Sequence, residues 1–250
     1  MLTTWPALIA AGVVAGVAGT ITGVGSVFSY PVLLWLGLPA TAANVTNTVA
    51  LAFGGIGGAY SSRPDTVGHT RLTLQLCAAG IVGTVAGSAL LLLSPPGVFE
   101  KVVPFLVAVA ALLILVPRRD ASATSTDSAP RRRGLAPVAA LAAVSVYNGY
   151  FAAGSSVLMI AALVLTTTLP LPTINGMKNV LVLVSDVAAA LAFGLFGPVE
   201  WPLVPALAVG LLIGTGVGPP IARRLPVARL RVVIAVAGVG LAVWLGFQAY

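Results

Sequence analysis

Long apolar runs follow one another along almost the whole of this chain, near Trp5–Ser29, Val45–Tyr60, Leu72–Leu93, Val98–Val116, Leu135–Tyr147, Ser156–Leu169, Val180–Phe196, Pro202–Ala222 and Val232–Phe247. Several reach the roughly 20 residues that a helix needs to cross about 30 Å of hydrocarbon. They are continuously apolar, whereas barrel strands alternate polar and apolar residues over about ten positions, so helices are expected. Composition agrees: 58% of the 250 residues are hydrophobic and 8% are charged, against about 25% charged in a soluble domain. No aqueous surface can be built from that, and the chain reads as an all-α integral membrane protein.

Met1–Pro6 lacks the basic leader of a cleavable signal peptide, so the first apolar segment is expected to be retained. Cys77 is the lone cysteine and lies in an apolar run, which excludes an intrachain disulfide and a Cys-based metal cluster and leaves packing or lipid-facing bulk. The net charge of +7 comes from residues in short loops between apolar runs, a pattern of membrane topology rather than of nucleic-acid binding.

The most polar stretch, RRDASATSTDSAPRRRG at Arg118–Gly134, reads as a linker and divides a first repeat, residues 1–117, from a second, residues 135–250. The halves align. GVGSVFSYPVLLWLGLP at Gly23–Pro39 resembles AAGSSVLMIAALVLTTTLPLP at Ala152–Pro172, and ATAANVTNTVAL at Ala40–Leu51 lies over PTINGMKNVLVL at Pro172–Leu183. Asn47 then falls opposite Asn179 and Thr46 opposite Lys178, and Gly83-Thr84-Val85-Ala86-Gly87 matches Gly214-Thr215-Gly216-Val217-Gly218. Several punctuated motifs in one order point to an internal repeat.

Each half is expected to open with two short segments interrupted by glycine, at Gly23–Gly25 and around Gly149–Gly154, followed by three longer transmembrane helices. An opening pair that starts and ends on one side gives an odd number of crossings per half, so the repeats should have inverted topology. That arrangement puts the Arg63–Arg71 loop, the linker and the Arg223–Arg231 loop, with eleven Arg residues, on one side. This side is expected to be cytoplasmic, with both termini and Glu200 outside.

These residues resemble the TauE/SafE sulfite exporter family. The resemblance rests on AGVVAGVAGTITGVGSVFSYPVLLWLGLP, on ANVTN and its counterpart INGMKN, on the FGPVEW turn and on ARRLP, and it covers nearly the whole chain. The family's usual Gly-Gly-Gly run is here Gly23-Val24-Gly25-Ser26. Membership implies transport of sulfite, sulfonates or related organosulfur anions across the cell membrane, driven by an ion gradient.

The residues point to the same ligand class on their own. An ionisable group at membrane depth costs about 2.5–3.5 kcal/mol and marks a functional candidate. Asn175, Asn179 and Asp186 share one helical face, with Lys178 to the side. The competing reading is that Lys178 snorkels to an interface and the stripe glues helices together. Asn44 and Asn47 begin the corresponding helix of the first half and are expected to approach the same midpoint. The substrate-binding set is therefore Asn44, Asn47, Asn175, Lys178 and Asn179, with Asp186 as the coupling residue, carrying a proton or balancing Lys178. Gly23, Gly25, Ser26, Gly154 and Ser155 are the helix-break positions, where exposed N–H groups can meet an oxyanion. Gly12, Gly16 and Gly19 have small-residue spacing that needs no ligand.

His69 is the only histidine and sits beside Arg71, so neither a metal site nor a His-based triad is expected, and no cofactor is implied. GVGSV lacks the lysine of a phosphate-binding loop. Secondary transport is the leading expectation; an anion channel, a membrane enzyme using Asp186 with Lys178, and an assembly subunit are the alternatives. The coupling ion is left open, with a proton carried by Asp186 as the candidate.

Overall fold

The computed structural model describes residues 4–61, 66–115, 135–222 and 227–249. Among these the chain is helical, without strands. The helices are α1 (Trp5–Thr22), α2 (Ser26–Trp35), α3 (Ala40–Ser61), α4 (Thr70–Leu93), α5 (Val98–Leu115), α6 (Ala136–Tyr150), α7 (Ser155–Thr166), α8 (Leu171–Phe196), α9 (Val204–Ala222) and α10 (Val227–Ala249). A 3-10 turn, Trp201–Leu203, leads into α9. The expected linker at 118–134, with Arg63, Arg223 and Tyr250, lies outside the described residues.

Thr70–Leu93, Leu171–Phe196 and Trp201–Gly218 are each long and apolar enough to cross a membrane. Helix α3 has 22 residues, about 33 Å of length, but Asn, Thr and Gly dilute its apolar content. Burial explains why those residues are tolerated: Ala42 to Ala50 are all shielded from the surroundings, so their polar groups meet protein rather than lipid. With 10 and 12 residues, α2 and α7 are too short to span the hydrocarbon.

Glycine places the helices. A methyl group added at Gly12 would lie 2.6 Å from the Leu207 carbonyl oxygen, and one at Gly16 would lie 2.7 Å from that of Leu211. Gly210 and Gly214 press back on Ile9 and Val13, so α1 and α9 run parallel with their backbones touching. The same seam joins α4 to α6: Gly83 lies against Ala142, Gly87 against Val146, and Gly149 against Thr84. Helices α3 and α8 instead run antiparallel, since Val45 lies beside Gly197, Gly55 beside Leu183 and Gly58 beside Asn179. Helix α9 also packs on α3, α4 on α8, and α5 on α10.

The two opening breaks are where the repeat pattern placed them, with one correction. Gly149 lies inside α6, where only a glycine lets α4 approach, and the second break is Phe151–Gly154. In the first half, Gly23 ends α1 with φ +79° and donates its N–H to the Gly19 carbonyl at 2.8 Å. The chain then doubles back: a methyl at Gly25 would sit 2.5 Å from the Ala15 carbonyl oxygen. In the second half, the Tyr147 hydroxyl donates to the Ala153 carbonyl at 2.6 Å and pins the bend.

Candidate functional site

A partly open cavity of about 660 Å³ lies among α1, α3, α8, α9 and the two breaks. Helix α8 supplies its polar wall: Asn175, Lys178, Asn179 and Asp186 all line it, as their shared helical face requires. The opposite wall is mostly backbone, from Gly19, Gly54, Gly55, Gly57 and Gly58. Adding a methyl at Gly57 would meet nothing within 4 Å, so Gly57 leaves space, while Gly54 and Gly55 also close contacts with Leu211 and Leu183. Helices α2 and α7 both start at the cavity, with Ser26 and Ser155 on its surface. Their N-terminal ends carry the partial positive charge of the peptide dipoles.

The floor is a hydrogen-bonded chain of three buried side chains. The Asn148 amide donates to the Asp186 carboxylate at 3.3 Å, and the Ser155 hydroxyl donates to the Asn148 carbonyl oxygen at 2.5 Å. It links α6, α7 and α8 and fixes the carboxylate, which is 5% exposed. A hydrogen bond to a charged group contributes about 1.5–3 kcal/mol. Asn148 was not singled out from the sequence, although an amide within an apolar helix just before a break carries the same signal that marked Asn179. Ala152, also at the cavity, has φ +60° and is the one non-glycine with positive φ among the described residues.

The structure separates the expected binding residues into two groups. Asn175, Lys178 and Asn179 share the cavity, together with Gly23, Gly25, Ser26 and Ser155. Gly154 does not line it: it caps α7 at φ +78° and packs on Ala110. Asn44 and Asn47 line a second, much smaller cavity of about 10 Å³ near the start of α3, with Tyr30 and Phe151. The Asn44 amide donates to the Tyr150 carbonyl at 3.1 Å. Asn47 is about 16 Å along α3 from Gly58, which faces Asn179. Glu200 is exposed, and its backbone N–H donates to the Thr46 hydroxyl at 3.0 Å. Among the described residues no three His, Cys, Asp or Glu side chains gather as a metal site.

The family model described as Sulfite exporter TauE/SafE matches residues 8–245. The chain belongs to the TauE/SafE family. No curated protein and no solved structure matches it. TauE/SafE membership makes this a membrane protein of a sulfite and anion exporter family, and the match runs through both halves, the breaks and every residue of the cavity.

Proposed function

We propose that this protein is a secondary transporter of a small anion: sulfite, a sulfonate or a related organosulfur anion. The observation that carries this is Lys178, a cation within a span, placed on a cavity wall beside Asn175 and Asn179 and across from glycines that leave room for a ligand. The ammonium attracts the anion, the amides orient its oxygens, and the starts of α2 and α7 add favourable dipoles. Asp186, about 12 Å along α8 from Lys178, balances that charge when the site is empty or carries the co-transported proton.

In this reading residues 1–117 and 135–250 are inverted repeats joined by a cytoplasmic linker. The antiparallel packing of the equivalent helices α3 and α8 supports it, because a two-fold that exchanges antiparallel helices lies across them, in the plane of the membrane. The matched seams, α1 with α9 and α6 with α4, support it too. Arginine bias then makes the Arg-rich side cytoplasmic and leaves the termini outside. A channel for the same anions needs a continuous polar path, whereas the small cavity that Ser26 also borders measures about 10 Å³.

The test is uptake of a panel of labelled anions into proteoliposomes. Saturable uptake of sulfite or a sulfonate is expected, and Lys178→Met should weaken apparent affinity at least about tenfold. Unchanged affinity in a correctly inserted variant would return Lys178 to a snorkelling role.

A further inference from the structure

The small cavity has two features that the packing of a bundle does not need. Asn47 is 2% exposed and its side-chain oxygen has no hydrogen-bond partner among the described residues. Tyr30, 3% exposed, has a hydroxyl in the same condition. Both line the cavity. Leaving a buried polar group unpaired is costly, and two around one void call for an occupant.

The repeat gives the void a meaning. Ser26, Val27 and Asn47 line the small cavity. In the alignment of Gly25-Ser26 with Gly154-Ser155 and of Asn47 with Asn179, their counterparts are Ser155, Ser156 and Asn179. All three counterparts line the large cavity. Equivalent residues thus build two chambers, one open and one collapsed, and Ser26 borders both.

A plug closes the collapsed one. Tyr30 meets Phe151 edge to face with ring centroids 6.0 Å apart, and Phe99 packs on both Tyr150 and Phe151. These rings lie at the end of the bundle where α3 begins, whereas the large cavity lies where α3 ends.

We propose that the small cavity is a second oxyanion station, the closed counterpart of the large one. Turnover opens it on the other face of the membrane, and the anion passes Ser26 from Lys178 and Asn179 to Asn47 and the Tyr30 hydroxyl. Amide and phenol donors replace the lysine, so the anion is held less tightly and leaves. Asn47 meets it through its amide after a flip of the side-chain terminus, a motion that exchanges oxygen for NH₂ without displacing the helix.

The inference rests on the transport reading above, and the experiment keeps the two apart by first measuring sulfite and taurine flux in the wild-type protein. Absence of flux for both strikes the transport reading; the labelling below is then carried out only on protein that transports. Val27→Cys and Ser156→Cys, each in a Cys77→Ser background, are treated from either face with an impermeant maleimide. Ser156→Cys should react from the face served by the large cavity. Val27→Cys should be silent at rest and react from the opposite face only while anion crosses. Continued transport with Val27→Cys unreactive from both faces would overturn the proposal. Tyr30→Phe removes one oxygen and little volume; it should leave sulfite binding at the large cavity unchanged and slow turnover about tenfold. Wild-type turnover in Tyr30→Phe would equally remove the second station.

Discussion

At the cavity the two halves that the sequence alignment pairs contribute opposite kinds of residue. The second half brings Asn148, Ser155, Lys178, Asn179 and Asp186; the first half answers with Gly19, Ser26, Thr46, Asn47 and Gly54 in the equivalent positions. Of these, Gly19, Ser26 and Gly54 line the large cavity. One half therefore supplies the charges and the other the room they act in. Under the repeat reading proposed above, one set of costly ionisable groups at membrane depth suffices, and those groups line a cavity that glycines of the other half also line. Away from the cavity the halves converge again, each using glycines to press one helix of its own against a helix of the other.

The largest expected effect tests that convergence. Gly83→Leu and Gly214→Leu sit at equivalent points of the two seams, where even a methyl would run into the Ala142 and Val13 carbonyl oxygens. Overpacking of this kind costs about 1–3 kcal/mol for a few methylenes and more where the obstacle is backbone. Both variants should lose nearly all monodisperse protein on size-exclusion in detergent. Recovery of one but not the other would mean that the seams are not structural equals.

Next comes the divergence. Asp186→Asn keeps the shape that meets Asn148 but cannot titrate or carry charge, so gradient-driven accumulation of the anion should disappear while exchange down its own gradient survives. Accumulation at the wild-type level with wild-type pH dependence would leave Asp186 a structural role and remove the clearest functional difference between the halves. The smallest effect concerns the breaks, where Ala152 occupies the position that Gly23 holds in the first half. Both have positive φ, a conformation costing a non-glycine about 1 kcal/mol or more. Ala152→Gly relieves that strain, offset by the greater freedom of glycine in the unfolded chain. A rise of about 1 kcal/mol or less in stability is expected, read as a small upward shift in melting temperature; a fall would show that the Ala152 methyl packs usefully at the cavity.

Fold class and the helix breaks were legible because they are local. Apolar run length reports a span, and a glycine pair inside one reports a break. The stripe on α8 was legible for the same reason, since a single helix fixes which side chains share a face. Asn148 carries a local signal, an amide in an apolar helix, but its partner Asp186 depends on α6 meeting α8, a contact that no local pattern encodes. Asn44 and Asn47 illustrate a different failure. Equivalence in an alignment does not imply proximity, because residues related by a two-fold meet only if they lie near its axis. Asn179 lines the large cavity and Asn47 the small one, so equivalence in the alignment did not bring them to one site. Gly149 was misread as part of a break because glycine marks both a bend and a close helix contact, and only the neighbouring helix tells which.

The seams have a consequence for how the molecule is made. Helix α1 lays its glycine face on α9, and the chain between them is roughly 200 residues long; at about 5–20 residues per second, α1 is synthesised on the order of ten to forty seconds before its partner exists. Helix α6, by contrast, emerges after α4 and can dock at once. Helix α1 is thus a guest of lipid or of the insertion machinery until α9 is made, its glycine face without the partner it has in the fold. The α1–α9 seam therefore closes later than the α4–α6 seam, although α1 precedes both of the helices that form that seam.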